Sequence, residues 1–153
     1  MPYWRDIVSL HSSSTVDADR PARPLPQVDP DTAPFWTAAR AHRLVTQRCA
    51  SCGTPRFPPS PLCPRCRGWD VEWVELDGTG TVHSWVVVWH AVTDGLRREV
   101  PYVIALVEVA PGVRMPSRLV DCDVDAITEH LPVKVTFVEL TPEITLPAFR
   151  PAT

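Results

Sequence analysis

Cys49-Ala50-Ser51-Cys52-Gly53 and Cys63-Pro64-Arg65-Cys66-Arg67-Gly68 are two cysteine pairs, each enclosing two residues, with ten residues between Cys52 and Cys63. Two intervening residues let both thiolates of a pair reach one metal from a single tight turn. Gly53 after the first pair, Pro64 inside the second and Gly68 behind it all suit such turns. Backbone amides in these knuckles can point at the sulfurs and stabilise their charge. Four thiolates with no open position make a closed structural site, for which zinc is the usual occupant. One zinc per chain on Cys49, Cys52, Cys63 and Cys66 is therefore expected. Rubredoxin-type iron uses similar knuckles, but its pairs lie much further apart in sequence. A redox dithiol would open a helix in a thioredoxin-like pattern, whereas these pairs sit among prolines. Structural zinc contributes roughly 10–16 kcal/mol in small peptides, which rivals the ~5–15 kcal/mol stability of a whole domain. Phe57-Pro58-Pro59-Ser60-Pro61 has little capacity for regular structure of its own, so residues 45–70 are read as a zinc ribbon that depends on its metal.

Upstream, Asp31 or Thr32 can cap a helix and Pro34 suits its first turn. Phe35, Trp36, Ala39 and Leu44 then form an apolar stripe, giving an N-terminal helix over 31–44. Residues 1–30 read as a flexible leader or linker, because Arg20-Pro21-Ala22-Arg23-Pro24-Leu25-Pro26 opposes regular structure. Downstream, β signals dominate. Strands are expected at 71–76, 81–92, 102–109, 113–121, 133–140 and 144–149. Turns are expected at Asp77-Gly78-Thr79-Gly80 and Ala110-Pro111-Gly112, with a short helix within 123–129. Pro147 suggests an edge strand. One short helix before the fourth long strand describes a five-stranded Greek-key OB-fold barrel over 71–153. The fold class is thus mostly β: an N-terminal helix, a rubredoxin-like zinc ribbon, then the barrel.

Composition narrows the function. With 153 residues and 44% hydrophobic content, the chain can bury a core without disulfides. The charged N-terminus and the lack of a long apolar run give no secretory signal or membrane span, so a cytoplasmic location is the default. The net charge is -3 and Lys134 is the only lysine. Non-specific nucleic-acid binding draws on dense Lys and Arg, so a single-stranded nucleic-acid-binding zinc-ribbon/OB protein is the weaker alternative.

Pro34-Phe35-Trp36, Arg48-Cys49, Pro58-Pro59, Cys63-Pro64-x-Cys66, Gly78-x-Gly80-Thr81-Val82 and Pro101-Tyr102 occur in this order. Leu119-Val120-Asp121 and Leu146-Pro147-x-Phe149-Arg150-Pro151 follow them. This series, over about residues 33 to 152, resembles the zinc-ribbon plus OB-fold family associated with acyl-CoA enzymes, catalogued as a domain of unknown function. The resemblance implies an accessory subunit of a thiolase-superfamily enzyme. That partner would be a lipid-transfer-protein-like aldolase that cleaves side chains from steroid-CoA thioesters. It also implies an acyl-CoA substrate shared with the partner and, in some members, fusion to a hydratase domain. The chain departs from the pattern at His42 and near His130, where the family usually has glycine, and at Arg118, where a smaller polar residue is common.

No catalytic constellation emerges. His83 and Ser84 point to opposite faces of a strand. Cys122 lies between Asp121 and Asp123, which disfavour a thiolate, so it reads as an inert buried thiol. His90 with Asp94 is an unspecific loop pairing. No Gly-rich phosphate loop is present, so no residue is assigned a catalytic role. Phe35, Trp36, Trp85 and Trp89 are candidates for partner contact, in competition with simple core packing. Arg97, Arg98 and Arg118 are candidates for acyl-CoA capture, in competition with solvated surface charge.

Overall fold

A computed structural model describes residues 23–152; residues 1–22 of the expected leader lie outside that range. Residues 23–32 carry no helix or strand. Helix α1 spans Ala33–Arg40 with Pro34 in its first turn. Thr32 occupies the cap position, but its hydroxyl donates backwards to Asp29 Oδ1 at 2.8 Å, and the Thr32 amide reaches the same atom at 2.8 Å. These bonds, the hydroxyl first, hold the Asp29 carboxyl below its usual range. The helix ends earlier than the stripe predicted. His42 enters the left-handed region at φ 56, which stops the helix and sends Leu44 into the core from extended chain.

Strands β1 (Val45–Cys49), β2 (Pro55–Arg56) and β3 (Val71–Glu75) form a three-stranded sheet in the order β2-β1-β3. The strand expected at 71–76 therefore forms but does not join the barrel. It pairs along its full length with β1, from Val45↔Glu75 to Cys49↔Val71. The ribbon thus carries its own sheet, and Leu76, whose amide donates to Leu44 O at 2.8 Å, leads out of it.

The barrel comprises β4 (Thr79–Val88), β5 (Tyr102–Ala110), β6 (Val113–Leu119), β7 (Pro132–Glu139) and β8 (Thr145–Pro151). It closes in the order β4-β5-β6-β8-β7, with β7 returning to β4 through Thr79↔Lys134 to Thr81↔Pro132. β6 and β8 run parallel and the other pairs run antiparallel, which is OB topology. The short helix before the fourth barrel strand is a single 3-10 turn, Val124–Ala126, capped by the Asp123 carboxylate at 3.1 Å. Pro147 is not on an edge, since β8 lies between β6 and β7. The β6–β8 ladder has only two pairs, Arg118↔Ala148 and Leu119↔Phe149, so the proline falls just outside it. Its carbonyl accepts from Ser117 Oγ at 2.7 Å instead. Strict alternation along β5 sends Val103, Ala105, Val107 and Val109 inward. They meet Val82, Met115, Val133 and Phe149 in the core, on which Phe35 and Ala38 of α1 also pack.

The glycines of the Gly78-x-Gly80 motif have separate reasons. Gly78 turns at φ 79 beneath Val135. Gly80 opens β4 where a Cβ would meet the Glu108 carbonyl oxygen and Val107 Cγ1, each at 2.8 Å. His42 and His130, where the sequence departs from the resembled pattern, both take the left-handed backbone, at φ 56 and φ 64. His42 recovers part of the cost by stacking on Phe137, with ring centroids 5.0 Å apart and planes 3° from parallel. His130 is exposed and has no such stack among the described residues.

These contacts set opposite signs for two substitutions. Gly80→Ala pushes a methyl into backbone and should destabilise the protein by about 1–3 kcal/mol. His130→Gly relieves a left-handed cost of roughly 1–2 kcal/mol, less the added freedom of glycine in the unfolded chain, and should raise stability by about 0.5–1 kcal/mol. Urea midpoints of the two variants check both signs.

Candidate metal centre and its surroundings

Cys49 closes β1, and the chain turns so that Gly53, at φ 72, donates its amide to Cys49 O at 2.9 Å. The second knuckle repeats the turn: Arg67, at φ 60, donates to Cys63 O at 2.9 Å. The left-handed position is thus filled once by glycine and once by arginine. Gly68 serves a different need. A Cβ there would lie 3.1 Å from Ser51 Oγ and 3.3 Å from Cys66 Sγ, so its absence lets the knuckles close on one another. The Ala50 amide, donating to Asp70 O at 3.0 Å, ties the first knuckle to the chain leaving the second.

All four sulfurs lie within 4.8 Å of one another. Cys49 Sγ and Cys66 Sγ are 3.5 Å apart, and Cys52 Sγ and Cys63 Sγ are 3.7 Å apart. A tetrahedral metal with sulfurs at about 2.3 Å has an S···S edge of roughly 3.8 Å, so the residues fit a zinc ion as they stand. Zinc would supply charge neutralisation and a crosslink there, and no reactive position. Among the described residues no other group of three or more His, Cys, Asp or Glu side chains is placed to share a metal. Cys122 is buried and donates to Asp123 O at 3.4 Å; burial, then the Asp123 charge, raises its thiol pKa.

The thiols divide in character. The Thr54 hydroxyl, 3.2 Å from Cys52 Sγ, and the Thr54 amide bring Cys52 down to about 6. The Cys66 amide, followed by that of Arg65, lowers Cys63. Cys66 receives the Gly68 amide, its largest single influence, yet the sulfurs of Cys52 and Cys49 outweigh it and push the thiol up to about 12. Without a cation the cluster therefore keeps some protons at neutral pH, and metal uptake releases them.

A second fastening was not read from the sequence. Arg56 is buried on β2, where its Nε donates to Gln47 Oε1 at 2.8 Å and its Nη2 to Ser60 O at 2.8 Å. Ser60 N donates to the same Gln47 oxygen at 2.9 Å, and Thr46 Oγ1 donates to Arg56 O at 2.9 Å. These bonds hold the proline-rich loop against β1. An arginine beside a run of prolines resembles surface charge, and only the strand pairing of Gln47 with Arg56 reveals the network.

The other candidate residues fall in two places. Phe35 is 5% exposed and occupies the core, edge-on to Trp36 with centroids at 5.0 Å and 5.6 Å from Phe57. Trp36 and Trp85 are partly buried against the same core, whereas Trp89, past the end of β4, is 50% exposed. Arg97 pairs with Asp94 at 2.8 Å on the surface, and Arg98 is exposed. Arg118 is held between the Tyr102 ring, 4.0 Å from its centroid, and the Glu99 carboxylate at 2.7 Å. Glu99, only 7% exposed, also pairs with Arg23. One carboxylate thus gathers Arg118 and the residue preceding Pro24 onto the segment that carries Arg97 and Arg98. No described helix is long and apolar enough to cross a membrane.

Removing zinc with a chelator, or replacing Cys63 with Ser, should make residues 45–70 sensitive to protease while the barrel resists. Full resistance of zinc-free protein in that stretch, read by mass spectrometry of the fragments, would contradict a metal-dependent ribbon.

Two family profiles match in tandem. Residues 36–72 match the rubredoxin-like zinc ribbon domain of ChsH2, and residues 73–138 match the ChsH2 C-terminal OB-fold domain. The chain is 43% identical over 141 residues to a probable enoyl-CoA hydratase alpha subunit of Thermomonospora curvata, covering 92% of this chain and 44% of the relative. It is 38% identical to the 3-oxo-4,17-pregnadiene-20-carboxyl-CoA hydratase alpha subunit of Mycobacterium tuberculosis, again spanning 92% of this chain and 44% of the relative. A DUF35 domain-containing scaffold protein of Methanocaldococcus jannaschii is 35% identical over 95 residues, 61% of this chain and 67% of the relative. Among solved structures, a chain of the Ltp2-ChsH2(DUF35) aldolase superposes with a TM-score of 0.77 at 44% identity, over 84% of this chain and 100% of that chain. Knuckle geometry, barrel topology and sequence agree: the chain belongs to the ChsH2/DUF35 family of zinc-ribbon plus OB-fold proteins.

Proposed function

We propose that the chain is a non-catalytic, zinc-binding accessory subunit of a thiolase-superfamily acyl-CoA enzyme. The enzyme we favour is a lipid-transfer-protein-like retro-aldolase acting on steroid side chains. The observation that carries this reading is the 44% identity to a chain of a two-component aldolase, matched over that chain's whole length. The steroid-CoA name of the mycobacterial relative supports the substrate class. The chemistry of the described residues agrees with a supporting role. The sulfurs form a closed set, the Cys122 thiol is held protonated, and Arg118 is engaged by Glu99 and Tyr102. One zinc per chain makes the ribbon rigid, and the reacting groups come from the partner. Arg97 and Arg98 are then the arginines left in solvent for a shared acyl-CoA.

Co-expression with a lipid-transfer-protein-like aldolase subunit is expected to yield a complex that cleaves a steroid side-chain CoA thioester, with neither chain active alone. Full activity of that subunit in the absence of this chain overturns the reading. Hydration in place of cleavage, obtained with a hydratase subunit, would move the assignment to the reaction for which the longer relatives are named.

A further inference from the structure

An antiparallel sheet with one face on a core ordinarily turns polar side chains outward. The barrel breaks this rule on two adjacent strands. Cross-strand register places Val86 beside Ile104, Val88 beside Tyr102, and Ser84 beside Leu106. Their neighbours Trp85, Val87, Val103 and Ala105 point into the core, so these six point out, and five of them are apolar or aromatic. Val86, at the centre, is 59% exposed, and Val88, Tyr102, Ile104 and Leu106 around it are half-buried. The contrast lies on the next strands, where β6 turns Arg114 and Arg118 outward and β7 turns out Lys134. Contiguous apolar surface of this kind marks an interaction site. β7 pairs with β4 only at Thr79, Gly80 and Thr81, and the contact inferred here runs through the outward side chains.

The border specifies the occupant. Arg118 is registered opposite Ile104, so the Arg118–Glu99 clamp stands at the edge of the apolar rungs. Glu99 answers two arginines with one carboxylate. Arg97 is balanced by Asp94, while Arg98 makes no ion pair among the described residues. The edge is therefore net positive, although the chain as a whole carries -3.

We infer that the outer face of β4 and β5, centred on Val86 and Ile104, is where the enzyme subunit docks, presenting an apolar patch bordered by carboxylates. This rests on the accessory-subunit reading above and adds the surface and its complement. The indole side of β4, which the sequence offered as an alternative patch, is the core side through Trp85, so the docking face is the opposite one.

The test is pull-down and titration calorimetry of the full zinc-loaded chain with a lipid-transfer-protein-like aldolase subunit. Val86→Asp and Val86→Lys should each weaken binding at least tenfold while leaving zinc content and the urea midpoint close to wild type. Arg98→Glu should weaken binding and flatten its salt dependence, as loss of a complementary charge requires. Lys134→Asp, registered opposite Thr79 at the other end of β4 from Val86, should bind as wild type. Binding within twofold of wild type for both Val86 variants overturns the inference. So does a wild-type homodimer, seen by light scattering, that Val86→Asp converts to monomer, because the occupant is then a second copy. Failure of the wild-type chain to bind any such subunit refutes the accessory-subunit reading itself, a result distinct from failure of the variants alone.

Discussion

Four sulfurs confined within 4.8 Å cannot all carry charge unless a cation sits among them. The arrangement of the ribbon follows from that constraint. Each knuckle turns its own amides toward its sulfurs, and each places a left-handed residue after its second cysteine to make the turn. The split between Cys52, brought down to about 6, and Cys66, pushed up to about 12, shows the limit of what amides achieve alone. Hydrogen bonds favour some thiolates at the cost of others. A divalent ion removes that conflict and crosslinks the two ends of a loop with little other means of support.

A metal on the four sulfurs would not be the ribbon's only fastening, and the division of labour is physical. β1 supplies Cys49 and pairs with β3 along five residues, so one side of the centre stands on a regular ladder. The other side is a loop rich in proline, which lacks the amide donors a ladder requires. Arg56 fills that gap with side-chain donors, reaching Gln47 and the Ser60 carbonyl. A buried arginine with only neutral acceptors is unusual.

What could be read from the sequence tracks the range of the forces involved. Cysteine spacing reports a local geometry, so the gathering of Cys49, Cys52, Cys63 and Cys66 was legible. Period-two alternation is equally local, and β5, β6 and β7 lie close to their expected positions. Pairing is not local. Nothing in Val71-Glu72-Trp73-Val74-Glu75 says that its partner is β1 and not the barrel. Pro147 pointed to an edge because its missing donor forbids a long ladder on both sides, yet a ladder of two pairs beginning just past it satisfies the same restriction. The helix was overextended because Leu44 keeps helical spacing, while the left-handed turn at His42 that ends α1 is a backbone event with no side-chain pattern. The Glu99 clamp joins residues 76 positions apart and was invisible to any reading of neighbours.

A small barrel with one helix resting on it has two ways to serve a larger assembly. It can offer strand edges, which bind without much selectivity and invite aggregation, or it can close and offer a shaped surface. Here closure through Thr79↔Lys134 and its neighbours covers the start of β4 and joins the sheet into a barrel. The apolar residues of β4 and β5 then stand outside a sheet whose inner face already has a full core. Their exposure is not forced by a shortage of interior, because the same strands send Trp85, Val87, Val103 and Ala105 inward without difficulty. A sequence under no pressure beyond folding would place threonine, lysine or glutamate at those outward positions at little cost. Retaining valine, isoleucine and leucine there makes sense if the surface is covered in the working protein.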